Sequence, residues 1–208
     1  MAVRAVRGAT QLEADDRDHL LERVAEMVTD VMRSNGLVVD DFISVIFTAT
    51  SDLRPWQQHV LSAGDDELRI TSVPGVHGPG PLARVLPPVM GSVVELVHGG
   101  DVAWRGYISG DTLYRPFLGE VLERCGPLDV LIPHLGGTKA LGLTVTMDAR
   151  QGADLVELLK PPVTVPVHFD DYDRFKSPLG DFVAEVAKRQ VPGEIRTVGR
   201  GQTVSLRA

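Results

Sequence analysis

The sequence predicts an α/β protein built from two unlike segments, and three features carry that prediction. The stretch before Leu53 reads β-α-β, proline and glycine become frequent from Arg54, and strands alternate with helices from Leu118 onwards. The change of texture places a boundary within residues 51–66, with segments 1–53 and 54–208.

Residues 2–9 form the first strand candidate. Thr10-Gln11-Leu12-Glu13 then has the form of a capping box, which satisfies unpaired amide donors where a helix starts. In the helix that follows, Leu20, Leu21, Val24, Val28, Val31 and Met32 recur at helical spacing, while Asp16, Arg17, Arg23, Glu26, Asp30 and Arg33 take the other face. Asn35-Gly36 supplies a left-handed stop. Phe42–Thr50 is β-branched and aromatic enough to be a buried strand.

Beyond the boundary, strands are expected at Leu68–Val73, Ser92–Val97 and Val102–Ser109, the last two joined by a hairpin at Gly99-Gly100-Asp101. Between the first two lies Val76–Pro88, whose prolines and glycines predict a mobile loop or lid. The alternating series then runs helix Leu118–Arg124, strand Leu128–Ile132, helix Asp148–Leu159, strand Val163–Val167, helix Leu179–Gln190, and strands Glu194–Val198 and Thr203–Leu206.

Composition narrows the function. The chain has 208 residues and a net charge of −7, without a basic run that could displace counterions from a phosphate backbone, so nucleic acid is not an expected partner and a small-molecule substrate is. Cys125 is the only cysteine, which rules out an intrachain disulfide and a cysteine zinc knuckle and fits a reducing cytoplasm. No window approaches the roughly 18 apolar residues of a membrane span.

Three strand ends carry residues suited to metal chemistry. Tyr107-Ile108-Ser109-Gly110-Asp111-Thr112 delivers a carboxylate through a tight glycine, Val163–His168 ends in an imidazole, and Val73-Pro74-Gly75-Val76-His77-Gly78 ends in another. Taken singly, each also reads as an ordinary strand-end residue. Together, His77, Asp111 and His168 are a donor set that suits zinc, manganese or iron and needs no thiolate. His134, in Ile132-Pro133-His134-Leu135-Gly136-Gly137, follows a further strand and reads either as a pocket residue or as a structural histidine, while Asp148 reads as a helix cap.

In the order Pro-x-x-His, Ser-Gly-Asp-Thr, Pro-Val-His-Phe, residues 68–175 resemble the later half of metallo-β-lactamase-fold hydrolases of the lactonase-like and phosphodiesterase-like branch. The resemblance implies a partial αββα sandwich and a metal-dependent hydrolase, with His77 completing one metal site, Asp111 bridging, and His168 in the second. It also implies a His-x-His-x-Asp-His cluster in a preceding half, yet no two of His19, His59, His77, His98, His134 and His168 are separated by a single residue. The expected site is therefore an incomplete dinuclear one with room for a single ion, with weak or absent turnover. Half a sandwich also exposes an apolar face, which predicts low stability or homo-oligomerisation.

Val3–Thr10, the amphipathic helix and Ile43–Leu53 resemble the N-terminal part of the trimeric chorismate mutases. This implies a truncated mutase segment in which Arg7 matches a substrate-binding arginine and no metal is needed; Arg7 also reads as a solvated strand-end residue. Three readings follow: a metallo-hydrolase, a chorismate mutase with a truncated site, and an inactive fusion remnant.

Overall fold

The computed structural model describes Thr10, residues 16–36, Val38, and residues 54–206 apart from 81–82, 84–85, 87, 141, 171–174 and 200–201. The chain divides into two compact units, Met1–Thr48 and Ala49–Ala208. The strands expected at 2–9 and Phe42–Thr50, the residue Arg7 and the junction at Leu53 lie outside the described residues.

In the first unit, α1 spans Arg17–Asn35. Gln11–Glu13 of the capping box expected at Thr10 lie outside the described residues. Asp16, in extended backbone, caps α1 by accepting from His19 N at 2.9 Å, as a short carboxylate immediately before a first turn can. Gly36 ends the helix at φ 63°, as the Asn-Gly pair predicts.

In the second unit, β1 (Gln58–Ala63), β2 (Asp66–Pro74), β3 (Met90–His98) and β4 (Asp101–Ile108) form an antiparallel meander. The β3–β4 turn is Gly99-Gly100, both at positive φ, which a two-residue turn matched to strand twist requires. β1 had no place in the sequence reading, because its residues fall within the segment treated as a boundary; the Gly64-Asp65 turn was its signal.

The chain continues with a 3-10 turn at Pro116–Gly119, α2 (Glu120–Cys125), β5 (Val130–Ile132) and a small hairpin of β6 (Lys139–Ala140) and β7 (Leu143–Thr144). It ends with α3 (Ala149–Leu159), β8 (Val163–Thr164), α4 (Leu179–Arg189) and β9 (Glu194–Ile195). Seven strands make one sheet in the order β1-β2-β3-β4-β5-β8-β9, with β4, β5, β8 and β9 parallel. Asp148 caps α3 through Gln151 N, as expected. Thr203–Leu206 is not a strand. The Ser205 carbonyl accepts from Arg196 and the Leu206 carbonyl from the Trp104 indole, so side chains take bonds that a ladder would have used.

Register sorts the two sheet faces. Thr71, Val93, Tyr107 and Leu131 lie across from one another and share a face. Val93, Tyr107 and Leu131 pack with Leu118 and Val121, with Leu155 and Val156 of α3, and with Phe182 and Val186 of α4, so all three helices cover this face. Glu95 and Arg105 form a largely buried ion pair on it, 2.7 Å long. Leu68, Ile70, Val94, Leu96 and Trp104 share the opposite face. There Trp104 packs with Val130, Val163, Val165 and the tail residues Val198, Val204 and Leu206, while Leu68, Ile70 and Val94 are half-buried and Leu96 is 49% exposed. Part of an apolar face is thus open to solvent.

Candidate metal centre

Strand direction brings the candidate residues together. β2 is antiparallel to β3 and β3 to β4, so β2 runs the same way as β4, β5 and β8. The carboxyl ends of all four therefore share one sheet edge. His77 follows β2, Asp111 follows β4, His134 follows β5 and His168 follows β8.

Asp111 reaches the edge through Gly110, which leaves the strand at φ 61° and packs so closely on the Met90 carbonyl that a Cβ would overlap it. His168 has a left-handed backbone, φ 58°, a conformation that costs a non-glycine residue about 1–2 kcal/mol. Neighbours hold it there. A parallel bridge joins His134 to Val167, Leu135 N donates to Val167 O at 2.9 Å, and the His168 ring packs against Phe175 with centroids 4.7 Å apart. Strain of this kind persists where surrounding contacts over-determine a residue, and it collects at functional sites.

His168 Nδ1 lies 3.1 Å from the Leu135 carbonyl and 3.7 Å from Asp111 Oδ1. His77 Nδ1 lies 3.0 Å from the Asp111 carbonyl. A carbonyl can only accept, so both rings donate from Nδ1, as a metal-ligating imidazole does when an outer carbonyl orients it. The His134 ring stands 5.6 Å from that of His168, tilted by 38°. Beside them, Gly136 packs against the His168 carbonyl, and Gly137 opens onto a cleft of about 380 Å³ whose walls include Lys139, Thr144, Lys176 and Ser177.

The chemistry of these donors fits a divalent ion: one half-exposed carboxylate flanked by imidazoles whose Nδ1 atoms are committed to carbonyls. The number of donors does not close a shell, since among the described residues no three His, Cys, Asp or Glu side chains gather closely enough to hold an ion. His19 lies in the other unit's helix, His59 is exposed on β1, and exposed His98 pairs with Asp66 at 2.7 Å. Sequence reasoning passed over Ser109 and Thr112, although both stand in the Ser-Gly-Asp-Thr motif that singled out Asp111.

Comparison with known proteins gives the two segments different relatives. The chorismate mutase type I family profile matches residues 3–61. A metal-dependent hydrolase of Thermococcus kodakarensis is 29% identical over 182 residues, covering 83% of this chain and 75% of that protein. Another from Thermococcus onnurineus is 30% identical over 137 residues, covering 62% of this chain and 55% of its own length. A Pyrococcus furiosus relative is 33% identical over 82 residues, and the chain spans only 34% of its length.

Among solved structures, isothiocyanate hydrolase from Delia radicum gut bacteria superposes with a TM-score of 0.59 at 17% identity, covering 88% of this chain and 65% of that one. A possible metal-dependent hydrolase from Veillonella parvula gives 0.56 at 22% identity, covering 70% and 56%. The fold after the mutase-like segment is the metallo-β-lactamase fold, present in part.

Proposed function

We propose that residues 54–208 act as a metal-dependent hydrolase in which His77, Asp111 and His168, gathered at one sheet edge, would draw closer to ligate one zinc, manganese or iron ion, with His134 at the border of the substrate pocket. The observation that carries this reading is the pairing of His77 Nδ1 with the Asp111 carbonyl and of His168 Nδ1 with the Leu135 carbonyl, which fixes two imidazole rings beside one carboxylate. The relatives named metal-dependent hydrolases support it. When bound, such an ion supplies Lewis acidity toward a carbonyl or phosphoryl oxygen. The chain's own part is to hold those groups at one sheet edge, and the substrate class proposed is a small molecule such as a lactone, ester, amide or phosphodiester. Absence of a His-x-His pair from the sequence predicts weak or absent turnover.

Metal analysis by plasma mass spectrometry tests the reading, with His77→Ala, Asp111→Ala and His168→Ala alongside the parent. Near-stoichiometric metal that disappears in all three variants supports it. Folded parent protein without zinc, manganese or iron after loading sinks it.

A second reading is favoured by the match at residues 3–61: the first segment, ending near Leu53, is a chorismate mutase remnant with Arg7 in the substrate site, requiring no metal. Conversion of chorismate that survives chelation and is lost in Arg7→Ala would support it. The lone cysteine is consistent with a cytoplasmic setting, and no described helix is long and apolar enough to cross a membrane.

A further inference from the structure

Asp111 sits between two hydroxyls that are bonded in the same way. Ser109 N donates to Ile132 O at 3.1 Å, and continuation of that parallel ladder would have His134 N donate to the Ser109 carbonyl. It donates instead to Ser109 Oγ at 2.9 Å, and that hydroxyl passes its own proton to Gly110 O at 2.9 Å. On the other side, Leu113 N donates to Val76 O at 2.9 Å, and the reciprocal bond of an antiparallel pair would run from Val76 N to Leu113 O. Thr112 Oγ1 stands between these two groups, accepting from Val76 N at 2.9 Å and donating to Leu113 O at 3.0 Å. Ser109 and Thr112 are both fully buried.

A hydroxyl is the smallest side-chain group that accepts and donates at one atom. Each one inserted here lets the backbone leave its ladder at Gly110-Asp111 without an unpaired amide in the interior, and each ties the Asp111 turn to a different histidine segment: Ser109 to the one carrying His134, Thr112 to the one carrying His77. We propose that Ser109 and Thr112 are positioning residues of the metal centre, fixing the reach of Asp111 relative to His134 and His77 by a hydroxyl inserted into each of two backbone pairings. This rests on the metal-hydrolase reading for its consequence and on the hydrogen bonds alone for its geometry.

The test compares parent, Ser109→Ala, Thr112→Val and Thr112→Ser in two arms. In metal-free protein, amide hydrogen exchange and histidine ring spectra are recorded by NMR. The expected result is at least tenfold faster exchange at Val76 with displaced His77 ring signals in Thr112→Val, faster exchange at His134 in Ser109→Ala, and parental behaviour in Thr112→Ser. In zinc competition titrations, Thr112→Val and Ser109→Ala should bind about 10- to 100-fold more weakly, with Thr112→Ser restored. Failure of the parent to bind zinc counts against the metal reading, and the metal-free arm then decides the geometry. Unchanged exchange and ring signals in Thr112→Val, zinc affinity equal to the parent's in both deletions, or a Thr112→Ser variant as impaired as Thr112→Val would overturn the inference. Should Ser109→Ala fail to fold, the two Thr112 variants carry the comparison.

Discussion

His168 and Asp111 approach within 3.7 Å, Nδ1 to Oδ1, while the same Nδ1 keeps a shorter bond of 3.1 Å to the Leu135 carbonyl. The carbonyl sets the ring's orientation, and the carboxylate beside it remains an acceptor with capacity for a further ligand.

Asp111→Asn keeps the shape of the side chain and removes its charge. Zinc affinity, measured by equilibrium dialysis, should fall by about 100-fold or more, because loss of a ligating charge exceeds the roughly 10- to 100-fold effect of outer partners. Affinity unchanged from the parent would exclude Asp111 as a ligand.

The left-handed backbone of His168, φ 58°, separates two truncations that would otherwise look alike. His168→Ala loses the ring and keeps the strain, whereas His168→Gly loses the ring and relieves it. The glycine variant should be the more stable of the two by about 1 kcal/mol in urea denaturation. An alanine variant equal or superior to it would mean that the backbone relaxes once the ring is gone.

Tyr107 is fully buried and its hydroxyl has no hydrogen-bond partner among the described residues; burial pushes its pKa well above the ordinary phenol value. A raised acid leaves stability intact below the unfolded pKa of about 10 and withdraws it as pH rises further, because only the unfolded chain then ionises freely. Tyr107→Phe should stabilise the protein by about 1 kcal/mol at pH 8, since it removes an unsatisfied polar group. The advantage should grow above pH 10 by up to about 1.4 kcal/mol per pH unit. Parallel pH profiles of the urea midpoint for parent and variant would contradict this.

Glu95 and Arg105 are 7% and 14% exposed, and Arg105 also donates to the Pro127 carbonyl at 2.8 Å. Glu95→Ala leaves a guanidinium inside the structure with half its bonds, at a cost of about 3 kcal/mol. Replacing both partners, Glu95→Leu with Arg105→Met, should cost clearly less than the single change. Guanidinium denaturation followed by tryptophan fluorescence reads both, and a single variant within about 0.5 kcal/mol of the parent would show the pair to be dispensable.

Local spacing and local chemistry determined much of this protein. The helical period of α1, the Gly36 stop, the cap at Asp148 and the turn at Gly99-Gly100 are each written within a few neighbouring residues, and each stands where the sequence puts it. The positions of His77, Asp111, His134 and His168 just past strand ends were legible for the same reason. Other features needed partners distant in the chain. Thr203–Leu206 has strand composition, but Arg196 and Trp104 take its carbonyls; β1 forms because β2 offers it a complete ladder. Only strand order and direction, set by long-range backbone pairing, could show that four strand ends share one edge. Only the way the backbone leaves those ladders gave Ser109 and Thr112 their work, because a hydroxyl's role depends on which amide and which carbonyl the tertiary fold sets on either side of it.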